Sequence, residues 1–251
     1  TGPLACTCEC ALTRGNFRRD RGHAGRMPRM ITVHHLNNSR SQRVLWLLEE
    51  LRLPYEVKRY ARDAKTSLAP PELLAVHPLG KSPVITDGEA TVAETGAIVE
   101  YLVDHAGGAL RPTLGSVEHR RYTYWLHFAE GSAMPPLVML LVFNRIKRAP
   151  MPFFARPIAR AIADKVLDSF IRPNLERQLA FMESALAQNA WFTGSTFTAA
   201  DVMMSFPIEA AAARGAANAR LPNLMAFLER IHERPAYRKA LERGGPYALL
   251  G

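Results

Sequence analysis

The stretch Leu79-Gly80-Lys81-Ser82-Pro83-Val84, followed by Asp87-Gly88 and then Glu94-Thr95, decides how this chain is read. Pro83 interrupts what is otherwise the start of an apolar strand. A proline there sits at a sheet edge or takes the cis form, and either leaves neighbouring backbone groups open to pair with an extended peptide. Asp87-Gly88, between segments 83–86 and 90–93, is a two-residue hairpin signal. Glu94-Thr95 precedes a helical face made by Ile98, Tyr101 and Leu102, so Thr95 is expected to cap a helix starting at Gly96 or Ala97. A carboxylate and a hydroxyl at the positive end of a helix suit a ligand that carries both an amine and a carboxylate.

Upstream, residues 31–36 are short, apolar and β-branched at their start, and Val44, Leu47, Leu48 and Leu51 then follow a helical period that stops before Pro54. Residues 55–60 alternate apolar with charged side chains and complete a β-α-β unit, whose right-handed crossover makes its strands parallel. With a short helix before the hairpin, the order is that of a thioredoxin-like domain over residues 30–106. The helical period lapses over 107–115, the expected linker. From 116 to 251 the chain reads as helical, with stripes at Tyr122, Trp125, Leu126, Ala129, at Leu175, Leu179, Met182, Leu186, and at Leu224, Phe227, Leu228, Ile231. Pro135-Pro136 and Pro173 are expected to end or kink their helices, and Pro150, Pro152 and Pro157 to form an irregular connection. The fold class is thus an α+β thioredoxin-like amino-terminal domain followed by an all-α carboxy-terminal domain.

The chain has 251 residues, 48% hydrophobic and 22% charged, which is ordinary for a soluble globular protein. No apolar run reaches the roughly 20 residues of a membrane span. The longest, 134–143, holds two prolines and stops at Asn144-Arg145, so no membrane segment is expected. Residues 1–29 hold six arginines and all three cysteines (Cys6, Cys8, Cys10) with no hydrophobic period, and read as an extension outside the fold. Their Cys-x-Cys-x-Cys spacing has no partner set for a metal, and His34-His35 on a strand face opposite ways, so no metal site is expected. The formal charge of +9 falls to +5 without this segment. The remaining arginines are scattered among carboxylates, which speaks for a solvated surface and against nucleic-acid binding. Thr198 and Asp201 have the spacing of a capping box and belong to folding.

Taken together, these segments resemble a soluble glutathione transferase of the bacterial and fungal type from Met30 to about Gly245. The resemblance is carried by Ile31-Thr32-Val33-His34-His35-Leu36, Asn37-Asn38-Ser39-Arg40-Ser41-Gln42-Arg43, Trp46-Leu47-Leu48-Glu49-Glu50-Leu51, the segment 81–84, Glu94-Thr95 and Phe197-Thr198-Ala199-Ala200-Asp201. It implies a cytoplasmic, homodimeric detoxification enzyme that conjugates glutathione, as co-substrate, to a small hydrophobic electrophile with no other cofactor. It implies that the Val84 backbone, beside a cis Pro83, holds the cysteinyl part. Glu94 and Thr95 would hold the γ-glutamyl end and Lys81 a carboxylate, with Ser82 in the same segment. A glutathione-dependent peroxidase and a non-catalytic glutathione-binding scaffold of the same fold are the alternatives.

Such chemistry needs the thiol held as thiolate, and a hydroxyl or amide near the start of the first helix can stabilise that anion. Cys-x-x-Cys, which thioredoxin-like oxidoreductases carry at this loop, is replaced by Asn37-Asn38-Ser39-Arg40, so dithiol exchange is excluded for the core. Aligning Arg43-Val44 with the Arg-Val pair of serine-type members puts Asn38 at the serine position, and a one-residue shift of the loop restores Ser39. Ser39 is favoured as donor, with Asn38 second or alternative. Tyr122, Trp125, Phe128 and Met134 are candidates for the electrophile pocket, although an aromatic stripe at this spacing equally describes packing.

Overall fold

The first β-branched run forms β1 (Ile31–Leu36), buried along nearly its whole length. A computed structural model of the protein describes residues 30–63, 66 and 68–250. The expectations for residues 1–29, including the cysteine tract, lie outside the described residues. β1 is followed by α1 (Ser41–Leu51), β2 (Tyr55–Tyr60), the single turn α2 (Pro71–Leu74), β3 (Val84–Asp87), β4 (Ala90–Ala93) and α3 (Thr95–His105). The sheet order is β2-β1-β3-β4, with β1 and β2 parallel and the other pairs antiparallel.

This order corrects one expectation. β3 is an interior strand, with Val84 between His34 of β1 and Ala93 of β4, so Pro83 is not at a sheet edge. It does take the cis form. The residue whose backbone is left open is Ser82, just outside the ladder. A second correction concerns Thr95, which is the first residue of α3 and makes no cap; the capping position is Glu94, in a left-handed conformation at φ 69°.

The helical part comprises α4 (Val117–Phe128), α5 (Met134–Arg148), α6 (Arg156–Val166), α7 (Arg172–Gln188), α8 (Ala199–Ala213), α9 (Pro222–His232) and α10 (Pro235–Gly244). Pro135-Pro136 do not end their helix: α4 runs through a π-helical segment, Ala129–Ala133, into α5, and these prolines occupy its first turn. A second π-helical segment, Leu167–Ile171, stands before Pro173. In each, the bond that closes the wide turn reaches back five residues, from Met134 N–H to Ala129 and from Arg172 N–H to Leu167. The wider turn accommodates a ring that lacks an N–H and crowds the carbonyl four residues back. Pro157 likewise sits in the first turn of α6 and not in the connection before it.

Val117–Arg148 therefore forms one 32-residue helical run, long and apolar enough by length and composition to cross a membrane, where the sequence suggested no such run. Tyr122, Trp125, Leu126, Ala129, Ala133, Leu137 and Leu140 commit one face of it to the core. α8, buried on every side over most of its length, runs through the middle of that core. One cluster of buried side chains spans both parts of the chain: Trp46 of α1 packs edge-on against Tyr237 of α10, ring centroids 5.1 Å apart, and against Phe197 at 5.7 Å.

The capping box at α8 forms as expected, and Asp201 reaches further than its own helix. Its carboxylate accepts from Thr198 N–H (2.8 Å), Thr198 Oγ1 (3.0 Å) and Phe192 N–H (2.9 Å). Asp201→Ala leaves two buried N–H groups without an acceptor. We expect a loss of about 3 kcal/mol or more, read from the midpoint of urea unfolding at constant m-value.

Candidate functional site

The loop between β1 and α1 is tight and polar, yet its central residue is buried. Ser39 is 4% exposed and Ser41, at the start of α1, is fully buried, so their hydroxyls must find partners inside the protein. Ser39 Oγ lies 2.7 Å from Ser41 Oγ, accepts from Ser41 N–H at 3.2 Å and lies 3.5 Å from Ser82 Oγ. Ser41 Oγ lies 2.8 Å from His35 Nδ1 on β1. The Ser82 hydroxyl donates to the His34 carbonyl (2.9 Å) and accepts from Leu36 N–H (3.3 Å), so that its side chain continues the β1 ladder where its own backbone does not. Asn38 is exposed, at φ 50°, and its side-chain oxygen accepts from Ala248 N–H at 2.7 Å, which ties the loop to the carboxy-terminal segment.

On the other side of cis Pro83, the pairing of Val84 with Ala93 brings Glu94 alongside Pro83. Glu94 is exposed, Thr95 is buried, and the first N–H groups of α3, which follow them, have no acceptor within the helix. Lys81 is exposed. The structure thus groups Ser39, Ser82, Pro83, Val84, Glu94 and Thr95 around the cis bond, with Asn38 and Lys81 at the rim. It does not bring Tyr122, Trp125, Phe128 and Met134 to this place. All four lie within the core, Trp125 stacking on Phe181 (5.4 Å) and crossing Phe192 (4.6 Å). Their helical spacing records burial against α7 and α8 and not a cleft wall.

Sequence reasoning missed a charged cluster beneath the loop. Arg43, 1% exposed, donates to the Met203 carbonyl (2.6 Å) and to Glu130, and lies 5.2 Å from the Phe206 ring centroid. Arg40 Nε stands 3.1 Å from the other oxygen of Glu130. Glu130 belongs to the first π-helical segment, so the start of α1 is clamped to the helical domain at its widened turn. Burial works to raise the Glu130 carboxyl, but the guanidinium groups of Arg43 and Arg40 outweigh it and hold the group below its ordinary value. His34 and His35 are both held neutral. Burial is the largest cause, and for His35, lowered to about 4, the charge of Arg59 comes next. No group of three metal-ligating side chains occurs among the described residues.

Residues 28–104 match the amino-terminal domain of glutathione S-transferase, and residues 163–235 its carboxy-terminal domain. The chain is 37% identical over 215 residues to Glutathione S-transferase 3 of Schizosaccharomyces pombe, covering 85% of this chain and 88% of that protein. The chain belongs to the glutathione S-transferase family. It is also 33% identical to Glutathione S-transferase 1 of Saccharomyces cerevisiae, over 85% of this chain and 95% of that one. A solved glutathione S-transferase from Actinobacillus pleuropneumoniae superposes with a TM-score of 0.71 at 33% identity, covering 87% of this chain and 94% of its own. The transferase class and the two-part fold read from the sequence are those of the family.

The clamp at Glu130 gives a pH-dependent prediction. Its folded-state pKa is depressed, so its contribution is present above the unfolded value and lost as pH falls through the folded one. Glu130→Gln should therefore be less stable than the parent at neutral pH, and the gap in urea midpoint should close as the pH falls below the ordinary carboxylate range. A gap that persists unchanged in acid assigns the loss to packing.

Proposed function

We propose that this protein conjugates the thiolate of glutathione to a small hydrophobic electrophile, with Ser39 as the donor that stabilises the thiolate. Residues 30–106 hold glutathione, 107–115 join the two parts and 116–251 supply the electrophile's side. The observation that carries this reading is the grouping around cis Pro83: a buried hydroxyl at the start of α1, an open backbone at Ser82, and a carboxylate with free helix N–H groups at Glu94-Thr95. An extended peptide laid along Ser82 places its amine near Glu94, its α-carboxylate on the N–H groups of α3 and its thiol toward Ser39. Ser82 takes the backbone role first given to Val84, and Lys81 is placed to receive the second carboxylate. The burial of Ser39 and the engagement of the Asn38 oxygen by Ala248 favour Ser39 as donor.

The backbone of Glu94 supports the assignment. A non-glycine residue at φ 69° and ψ 127° is strained by about 1–3 kcal/mol, and such strain persists where a side chain is needed in one place. Glutathione enters as co-substrate, and the absence of cysteine from residue 11 onward suits work in the reducing cytoplasm.

Two copies of the chain form the working unit. Val138, Val142 and Ile146 of α5, Ile158 and Ile162 of α6, and Phe153 between them are all exposed, Phe153 by 82%. An apolar surface of this extent on adjacent helices is what a second copy would cover. Light scattering should return twice the 27.9 kDa of the chain, and Ile158→Lys with Ile162→Lys should return a single chain.

Ser39→Ala tests the chemistry. It should lower kcat with an aryl halide by about ten- to a hundredfold, the worth of one donor to a charged acceptor, while the glutathione Kd changes little. Glu94→Gly should do the reverse, weakening glutathione binding by calorimetry while raising stability by about 1 kcal/mol as the strain is released. A parent protein that shows no heat with millimolar glutathione overturns the assignment.

A further inference from the structure

His35 is a buried ionisable group on β1 that the proposed mechanism does not use. Its Nδ1 is joined to Ser41 Oγ (2.8 Å), and Ser41 Oγ to Ser39 Oγ (2.7 Å), so an unbroken chain of hydrogen bonds runs from the ring to the proposed thiolate donor. The ring also bonds the backbone of Gly244, with the sign of a carbonyl acceptor, since the contact favours the protonated ring. With Nδ1 taken by Ser41, Nε2 is the ring nitrogen left to face that carbonyl. Gly244 is the last residue of α10, where the unsatisfied carbonyls carry the negative end of the helix dipole. It is also a position with no room for a Cβ, which would collide with the Gln42 side chain. The missing Cβ leaves room for Gln42 and Leu45 of α1, against which α10 packs.

The chain of bonds has a direction. A neutral ring that donates from Nε2 has only a lone pair at Nδ1, so Ser41 must donate to it, and Ser39 must then donate to Ser41. In this resting state Ser39 presents an acceptor, not a donor, to the site. A protonated ring reverses every bond: Nδ1–H donates to Ser41, Ser41 to Ser39, and the Ser39 hydroxyl is free to donate outward. The two directions match the two states of a thiol, which donates as S–H and accepts as S⁻.

We infer that Ser39, Ser41 and His35 form a proton relay in which deprotonation of the bound thiol is coupled to protonation of His35. The inference rests on the reading of glutathione as co-substrate. The S–H bond breaks and its proton passes to Ser39 Oγ; the Ser39 proton passes to Ser41 Oγ, and the Ser41 proton to His35 Nδ1. The products are a thiolate that accepts from Ser39 and an imidazolium that donates to Ser41 and to the Gly244 carbonyl. No oxidant or other reactant is required. Burial and Arg59 on β2 keep the ring neutral at rest even though the Gly244 backbone favours its charge, so the negative charge of the arriving thiolate is what favours the charged ring. His35 and Ser41 are positioning residues for Ser39.

The test uses the whole chain labelled with ¹⁵N at histidine, the His35 signals being assigned through bonds to the backbone. Glutathione should convert His35 from a neutral ring with a bare Nδ1 to one protonated on both nitrogens, while S-methylglutathione, which binds without a thiol proton, should not. The ultraviolet band of the bound thiolate is read on the same samples. A thiolate band with His35 still neutral overturns the relay and leaves the glutathione reading standing. No band at any pH overturns both. Ser41→Ala, which cuts the chain and retains Ser39, should keep His35 neutral in the presence of glutathione. It should also move the thiolate titration to higher pH and lower kcat by about a hundredfold, with the KM for glutathione little changed. Unaltered thiolate titration in Ser41→Ala also overturns the relay.

Discussion

A guanidinium with no access to water has to be paired, and in this protein that requirement fixes how the two parts of the chain meet. Arg43 brings its charge into the first turn of α1, where no carboxylate among the described residues of the thioredoxin-like half pairs with it. Its partners are Glu130 and the carbonyl of Met203, one on the widened turn after α4 and one on α8. Losing either partner leaves a buried charge or donor uncompensated, which costs more than most packing errors. The start of α1 therefore cannot shift against the helical part without breaking these bonds. Ser39 and Arg40, immediately before it, inherit that fixed position.

The same economy of placement recurs at the carboxy-terminal end. The Tyr247 and Tyr237 hydroxyls both donate to Glu209, and His232 closes a third contact on it at 3.1 Å. This anchors the segment after α10, so that Ala248 reaches the Asn38 side chain. α10 itself rests on α1 and on β2, with Arg243 over the ring of Tyr55 in β2 at 3.7 Å and donating to the Tyr55 carbonyl. Four separated parts of the sequence, β1, the loop before α1, the cis-proline segment and the last thirty residues, thus converge on a single buried hydroxyl.

Much of this was legible in the sequence because it follows from local rules. The β1-α1-β2 order, the Asp87-Gly88 hairpin and the Thr198-Asp201 box each depend on a few adjacent residues whose chemistry leaves little choice, whereas at Pro83 the residues left a sheet edge and a cis bond both open. What escaped depends on partners far along the chain. Thr95 reads as a cap because hydroxyl caps are common, and nothing local announces that Glu94 takes the left-handed conformation instead. Pro135-Pro136 read as an end or a kink because a widened turn has no residue signature. Val84 reads as the open backbone only while β3 is taken for an edge, and the sheet order that puts β4 beside it is not local. Ser41 and His35 were visible as residue types, but their alignment with Ser39 requires β1, α1 and α10 to be packed together.

The π-helical turn at Ala129–Ala133 has one more implication. Each residue of an α-helix turns its side chain by about 100° relative to the last, so one surplus residue in a turn rotates everything beyond it by that amount while barely lengthening the helix. The face that α5 shows to its surroundings is therefore set independently of the face that α4 packs into the core. Loss or gain of a single residue there would turn a new row of α5 side chains toward α6 and α7 and leave the inner face of α4 in register. That one turn is where the outward face of α5 can be re-aimed without disturbing either the packing of α4 or the strands beside Pro83.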